Sequence, residues 1–230
     1  RQRGRMMSEG LTGIILAGGL SRRMGQEKAF LPWGHSTLIE HVVETLRPVT
    51  DEVIVAVKDA TKFRHLHATV VEDLVPDAHA LGGIYTGLRA ASTQRCFVCA
   101  CDAPFLNMGL LRLLMEQADG YDLVMPRSAV GLEPLHALYA RSALPAIEAQ
   151  LRQRRWDLRA LVPLVRARVI EAAVWRPYDS EGRCFLNLNS REEYAACLRR
   201  QQLPPRTMSQ LIEGVGLPGY ATVGNDSLPG

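Results

Sequence analysis

The chain has 230 residues, of which 47% are hydrophobic and 22% charged, as in an ordinary folded domain and unlike a disordered or fibrous protein. Its formal net charge is only +3, so composition gives no support for nucleic acid or an anionic membrane surface as a partner. No run approaches the roughly 20 apolar residues that span a bilayer, and five cysteines do not suggest a disulfide framework, so we expect a cytoplasmic protein without a membrane partner.

Short apolar runs alternate with amphipathic stretches along most of the chain. The pattern predicts strands at 13–17, 53–57, 68–71, 96–101, 123–125, 135–139 and, at an edge, 167–175. It predicts helices at 36–47, 83–91, 108–118, 142–155 and 157–165. Such alternation with buried strands predicts a Rossmann-like three-layer α/β/α fold with a mostly parallel sheet.

The end of the chain divides into a last helix and a tail. Ser190 followed by Glu193 has the spacing of a capping box, which predicts that a helix begins there. Beyond residue 200 the composition changes to prolines, scattered glycines and polar residues. We predict one domain at 11–202 and a poorly structured tail at 203–230.

A glycine pair follows the first predicted strand and is itself followed by basic residues. Gly18 and Gly19 allow a tight turn that directs backbone N–H groups toward an anion. Arg22, Arg23 and Lys28 add positive charge to the same segment. The combination predicts a phosphate-binding loop, although a solvated glycine turn with surface charges has the same glycine pattern.

Asp102 comes directly after the predicted strand at 96–101. Because ligands bind beyond the carboxyl ends of parallel strands, Asp102 and the glycine segment should lie close together. Mg²⁺ is often held by one or two carboxylates together with phosphate oxygens and water. Asp102 is therefore predicted to bind Mg²⁺, the alternative being an aspartate that starts a turn before Pro104.

Two further groups of polar residues and glycines are candidates for ligand contacts. Asp73 lies just beyond the short strand at 68–71, and Gly82 with Gly83 could open a helix whose N-terminus favours an anion. A structural turn accounts for this pattern equally well. Asn187 and Asn189 are candidates for contact with a second metal or with a substrate, and strand-end or cap hydrogen bonds are the alternative.

Three cysteines and one histidine admit a functional and a structural interpretation. Cys96, Cys99 and Cys101 resemble a metal-ligand spacing, but strand alternation places Cys96 and Cys99 on opposite faces, which favours core thiols. His136 lies in an apolar run and could either contact substrate or belong to the core.

The segment LAGGLSRRMGQEKAFLPWG resembles the signature LAGGxSxRMGxxK of nucleotidyltransferases that activate small phosphorylated metabolites. Among these enzymes, the segment is most similar to the molybdopterin nucleotidyltransferase family. Within that family it resembles the branch that transfers guanylyl groups, the molybdenum cofactor guanylyltransferases. The segments CDAPF and FLNLNS support this resemblance, with Arg191 in place of the family's usual proline. The resemblance covers about residues 11–199 and implies a fold of the nucleotide-diphospho-sugar transferase type.

The resemblance implies transfer of GMP from GTP to the phosphate of molybdopterin or the molybdenum cofactor, with release of pyrophosphate. It implies Mg²⁺ as cofactor and, as further candidate partners, molybdoenzymes or other cofactor-biosynthesis proteins. The resemblance implies that the nucleotide site includes Leu16, Ala17, Gly18, Lys28, Asp73 and Asp102. The glycine patterns described above add Gly19 and Gly82 to the predicted nucleotide-binding residues. For this reaction the predicted catalytic residues are Arg23, Lys28 and Asp102. Asn187 and Asn189 are candidates for contact with the pterin or with a second metal. Transfer of CMP or GMP to another phosphorylated metabolite, or nucleotide binding without turnover, are the alternatives.

Overall fold

The computed structural model describes residues 10–18 and 27–201. The strands are β1 (Leu11–Leu16), β2 (Pro32–Trp33), β3 (Ser36–Thr37), β4 (Glu52–Val57), β5 (Thr69–Glu72), β6 (Arg95–Ala100), β7 (Leu123–Ser128), β8 (Gly131–Leu132), β9 (His136–Ala140) and β10 (Ala167–Ile170). The α-helices are α1 (Leu38–Leu46), α2 (His79–Ala90), α3 (Met108–Glu116), α4 (Leu144–Arg152), α5 (Ala172–Trp175) and α6 (Arg191–Gln201). None of the described helices is both long enough and apolar enough to cross a membrane. The predicted tail at 203–230, Gly19, Arg22 and Arg23 lie outside the described residues.

The main sheet has the strand order β10-β7-β9-β6-β1-β4-β5, and β8 pairs with the end of β7. Strands β6, β1, β4 and β5 are parallel to one another, as are β7 and β10. Strand β9 is antiparallel to both β6 and β7 and joins the two parallel groups. The prediction of a mostly parallel sheet is confirmed, and the carboxyl ends of four neighbouring strands share one edge.

Helices cover both faces of this sheet. On one face Ile15 and Phe97 pack with residues of α1 and α3, and on the other Ile14 and Val98 pack with residues of α2 and α4. Successive residues of a strand point to opposite faces, so each strand contributes to both apolar layers. The predicted three-layer α/β/α arrangement is confirmed.

A smaller apolar cluster joins the β2–β3 hairpin to the C-terminal part of the chain. Trp33, Leu38 and Leu188 are buried together in it. Just beyond Leu188, the Ser190 hydroxyl accepts a hydrogen bond from the Glu193 N–H at 3.1 Å, and the Ser190 N–H donates to Glu193 Oε2 at 3.1 Å. The predicted capping box is confirmed, and together with the buried Leu188 it fixes the course of residues 187–190.

Three predicted elements differ from those observed. The helix predicted at 83–91 begins at His79, directly after a 3-10 helix at Pro76–Ala78, so Gly82 and Gly83 lie inside α2 rather than at its start. The helix predicted at 157–165 is a 3-10 helix, Leu158–Leu164, that contains Pro163. Proline lacks the N–H that a regular α-helix requires in its interior.

The predicted edge strand at 167–175 is wrong in its second half. Strand β10 ends at Ile170, and the chain then turns into the short helix α5, in which the Arg176 N–H donates to the Ala172 carbonyl at 2.9 Å. Trp175 is buried, and its indole N–H donates to the Arg127 carbonyl at 2.9 Å. This long-range anchor of Trp175 outweighs the local apolar pattern that predicted a strand.

Candidate active site

The carboxyl ends of β1, β4 and β6 lie side by side at one edge of the sheet. The Ala17 N–H donates to the Ala56 carbonyl at 2.9 Å, and the Cys101 N–H donates to the Leu16 carbonyl at 3.1 Å. After Leu16, the last residue of β1, the chain therefore leaves the sheet through Ala17 and Gly18, between the ends of β4 and β6. Ligands of open α/β sheets bind at this kind of edge. The nucleotide contacts of these three residues stay predictions.

Lys28 forms the centre of a polar cluster at this edge. Its ammonium nitrogen lies 2.7 Å from Asp102 Oδ2 and 2.9 Å from Asn189 Oδ1. The side chains of Lys28 and Asp102 are only 16% and 11% exposed. Three residues that the sequence analysis singled out separately therefore meet in one place, which we call the Lys28 cluster.

Each member of the Lys28 cluster is positioned by neighbouring packing. Lys28 opens a 3-10 helix, Lys28–Phe30, whose Ala29 and Phe30 are buried. Asp102 follows the end of β6, and its carbonyl accepts a hydrogen bond from the Leu188 N–H at 3.1 Å. Because Leu188 is buried and residue 190 caps a helix, Asn189 is held over the end of β6.

The Lys28 cluster has the chemistry of a site for a metal and phosphates. Asp102 Oδ2 is paired with Lys28, whereas Asp102 Oδ1 forms no hydrogen bond with any described residue. No group of three or more His, Cys, Asp or Glu side chains in the described ranges could hold a metal ion. Mg²⁺ commonly takes one or two carboxylates and completes its shell with phosphate oxygens and water. Asp102 fits that role, and Lys28 offers a point charge for phosphate.

Asp73 and Gly82 contact each other beyond the end of β5, in a turn that accounts for both residues structurally. Asp73 Oδ1 accepts hydrogen bonds from the Val75 N–H at 2.9 Å and the Thr86 hydroxyl at 3.0 Å. A Cβ on Gly82 would lie 2.3 Å from the Val75 carbonyl oxygen, so only glycine fits. The structural alternative is thus supported by contacts, while the predicted nucleotide contacts of Asp73 and Gly82 stay predictions.

The two asparagines have different surroundings. Asn189 belongs to the Lys28 cluster, whereas Asn187 is half-buried and its carbonyl accepts a hydrogen bond from Asn189 Nδ2 at 3.3 Å. The backbone N–H of Asn189 also donates to Glu193 Oε2 at 2.7 Å. The backbone of Asn189 therefore makes the predicted cap hydrogen bond, whereas its side chain contacts Lys28. A pterin contact by either residue stays a prediction.

The cysteines of β6 belong to the core. Cys96 packs in one apolar layer and Cys99 in the other, as strand alternation predicted. Burial raises the pKa of the Cys99 thiol, which keeps it protonated and unsuited to metal binding. All five cysteines of the chain lie in the described ranges, and none of them forms a disulfide there.

His136 is a core residue rather than a surface ligand. Its ring lies between Phe97 and Phe185, with edge-to-face contacts at centroid distances of 5.0 and 5.2 Å. Neither ring nitrogen has a hydrogen-bond partner among the described residues. Burial lowers the pKa of His136 to about 4, although the charge of Asp179 acts in the opposite direction. The imidazole is therefore neutral at physiological pH.

Replacing His136 with phenylalanine is expected to make stability less sensitive to acid. The unfolded chain takes up a proton near pH 6.5, while the folded chain resists protonation down to about pH 4. Lowering the pH from 6.5 to 4 therefore favours unfolding of the wild type, by about 3 kcal/mol. His136→Phe keeps the aromatic contacts but cannot titrate, so it should lose less stability over this range. Urea unfolding across these pH values measures the difference, with the exposed His35→Asn as control. Equal pH dependence in His136→Phe and wild type would contradict the assignment.

Lys58, which no sequence motif singles out, lies at the same edge. It follows β4 directly and is exposed, and its Cγ lies 3.4 Å from the position that a Cβ on Gly18 would occupy. The rule that placed Asp102 in the site, that residues just after parallel strands face the ligand, would also have identified Lys58.

The chain is similar to known nucleotidyltransferases over most of its length. The family model of the MobA-like NTP transferase domain matches residues 13–169. A probable molybdenum cofactor guanylyltransferase of Pelotomaculum thermopropionicum is 39% identical over 179 residues, which cover 78% of this chain and 87% of that protein. A molybdenum cofactor guanylyltransferase of Desulfosudis oleivorans is 34% identical over 187 residues, which cover 80% of this chain and 93% of that protein.

The fold agrees with these similarities. The crystal structure of molybdopterin-guanine dinucleotide biosynthesis protein A from Archaeoglobus fulgidus has a TM-score of 0.73 and 25% sequence identity, with 83% of this chain and 98% of that chain covered. A nucleotidyl transferase from Methanothermobacter thermautotroptrophicus shares the fold, with a TM-score of 0.63 at 22% identity and with 83% and 97% of the two chains covered. The family match includes Lys28 and Asp102, and it extends over most of the chain. The chain therefore belongs to the family of MobA-like NTP transferases.

Proposed function

We propose that the chain transfers GMP from GTP to the terminal phosphate of molybdopterin, with or without bound molybdenum. The products are pyrophosphate and a guanine dinucleotide cofactor. The Lys28 cluster carries this proposal, since it offers a cation, a carboxylate and an amide at the strand edge beside Gly18. The names of the relatives from Pelotomaculum and Desulfosudis support guanine as the base and molybdenum cofactor as the acceptor. That the reaction takes place in the cytoplasm stays a prediction.

The reaction forms one phosphorus–oxygen bond and breaks another. An oxygen of the acceptor phosphate attacks the α-phosphorus of GTP, and the bridging oxygen leaves with pyrophosphate. A phosphate monoester is already largely ionised at neutral pH, so the step requires no protein base. This suits a site in which His136 is buried and neutral. Catalysis then consists of holding two anions in line and neutralising their charge.

Each residue of the Lys28 cluster has a separate role in this reaction. Lys28 donates to phosphate oxygens and balances the charge that grows on the leaving pyrophosphate. Asp102 is the carboxylate that would hold Mg²⁺, which when bound supplies positive charge across the phosphate oxygens. Asn189 orients the Lys28 ammonium through its amide oxygen. Arg23 is a further predicted cation of the glycine segment and lies outside the described residues.

The proposal is tested by measuring pyrophosphate release with GTP, CTP and ATP, each with and without molybdopterin and Mg²⁺. We expect release to require an acceptor and Mg²⁺ and to be far faster with GTP than with CTP or ATP. We expect EDTA to abolish it until Mg²⁺ is restored. Faster release with CTP would indicate a cytidylyltransferase. Tight binding of GTP with Mg²⁺, but no release with molybdopterin or other phosphorylated acceptors, would indicate a nucleotide-binding module.

A further inference from the structure

Lysine is rare in this chain and is confined to one place in the fold. Only three of the 27 basic residues are lysines, namely Lys28, Lys58 and Lys62. Lys28 opens the 3-10 helix that follows the glycine segment, Lys58 follows β4, and Lys62 lies in the 3-10 helix Ala60–Phe63 just beyond. All three ammonium groups are therefore carried by the loops at the carboxyl edge of the sheet.

The three lysines differ in their partners. Lys28 is engaged by Asp102 and Asn189, and Lys62 forms an ion pair with Glu27. Lys58 is exposed and forms no hydrogen bond or ion pair with any residue in the described ranges. Its Cγ lies 3.4 Å from the position that a Cβ on Gly18 would occupy, so the aliphatic part of the exposed side chain lies beside Gly18.

The order of the strands indicates which part of a nucleotide lies near Lys58. Asp102 follows β6, Gly18 follows β1, Lys58 follows β4 and Asp73 follows β5, in the order in which the strands lie in the sheet. The Asp73 N–H donates to the Val57 carbonyl at 2.7 Å, which brings the ends of β4 and β5 together. Neighbouring strands are about 4.8 Å apart, so Lys58 lies roughly 10 Å along the edge from Asp102. With the phosphates at the Lys28 cluster, a nucleoside that extended along this edge toward β4 would reach Lys58.

An ammonium group without a protein partner can distinguish guanine from adenine, because it can only donate hydrogen bonds. Lysine has three donors and no acceptor. Guanine presents O6 and N7 as neighbouring acceptors, whereas adenine presents an amino donor at the position of O6. We propose that Lys58 donates to O6 and N7 of the guanine of GTP and so selects GTP over ATP. This inference rests on the proposed guanylyl transfer and assigns its base recognition to a single side chain.

Lys58→Met tests the proposal because methionine keeps the aliphatic length and removes the donors. We expect the KM for GTP to rise by at least about tenfold with kcat changed less than about twofold, the pattern of a contact that is equal in ground and transition states. The base of ITP retains O6 and N7, so the KM for ITP should rise as much as the KM for GTP. The low kcat/KM for ATP should stay within about twofold of the wild type, so the preference for GTP falls. The exposed Arg152→Met, on α4, is the charge-matched control and should leave every value unchanged.

Amine acylation mapped by mass spectrometry gives a second measurement, which requires no turnover. In the wild type, GTP with Mg²⁺ should protect Lys28 and Lys58, whereas ATP with Mg²⁺ at saturating concentration should protect Lys28 alone. Lys62, held by Glu27, is the internal reference.

Different outcomes overturn different parts of the inference. If Lys58→Met lowered kcat/KM equally for GTP and ATP, Lys58 would contact the phosphates and base recognition would be overturned. Unchanged kinetics in Lys58→Met would also overturn base recognition. Protection of Lys28 without Lys58 by GTP would overturn the Lys58 assignment and leave guanylyl transfer standing. Failure of GTP to protect either lysine would overturn both proposals.

Discussion

Replacing Asp102 with asparagine should lower guanylyl transfer by at least about a hundredfold, as does the loss of other preorganised charges that act on a transition state. The amide keeps the size of the carboxylate but carries no charge for Mg²⁺. Asp102 is buried beside Lys28, and asparagine can still accept a hydrogen bond from its ammonium group, so the fold should persist. Pyrophosphate release at saturating Mg²⁺ measures the effect on kcat, and circular dichroism checks that the variant is folded.

The control for this variant is Asp119→Asn, which removes an exposed carboxylate from the turn after α3. It should have wild-type turnover. Near-normal turnover of Asp102→Asn at saturating Mg²⁺ would show that Asp102 does not hold the metal. A large loss in both variants would point to a general effect of charge on the protein.

Replacing Lys28 with methionine should lower kcat/KM for GTP by at least about tenfold, because one good charge contact in the transition state is worth about 1.4 kcal/mol or more. Methionine retains the stem of the side chain but leaves Asp102 and Asn189 without their shared donor. Steady-state kinetics with varied GTP measure the change. An unchanged kcat/KM would remove Lys28 from the site.

The double variant Lys28→Met with Asp102→Asn shows whether the two residues act together. Groups that work as a unit lose most of their effect with the first substitution. We therefore expect the double variant to be little slower than Asp102→Asn alone. Fully multiplicative losses would mean that Lys28 and Asp102 act independently, despite the 2.7 Å contact of their side chains.

Much of the fold and part of the site can be read from local sequence patterns. The buried runs at β1, β4 and β6 identify the parallel strands because each contains consecutive apolar residues, as strands covered on both faces must. Asp102 and Gly18 then follow from the rule that ligands bind beyond the carboxyl ends of such strands. The capping pattern at Ser190 and Glu193 correctly gives the start of α6.

Other features depend on contacts between distant parts of the chain. The periodicity at 135–139 predicts a strand but not its direction, because parallel and antiparallel strands share the same alternation. The β2–β3 hairpin was not predicted, since its strands are only two residues long. The proximity of Asn189 to Lys28 arises from the burial of Leu188 beneath the hairpin, which no local pattern reveals.

The contact between Lys28 and Asn189 joins residues 161 positions apart and so sets an order of events during synthesis. At about 5–20 residues per second, a ribosome needs roughly 8 to 32 s to advance from one to the other. During that interval a nascent chain can form the β1–β4–β5–β6 part of the sheet but lacks Asn189 and the Leu188 that accompanies it. The complete Lys28 cluster can therefore form only after Asn189 has been synthesised, well after the strands that precede Lys28 and Asp102 are available to pair.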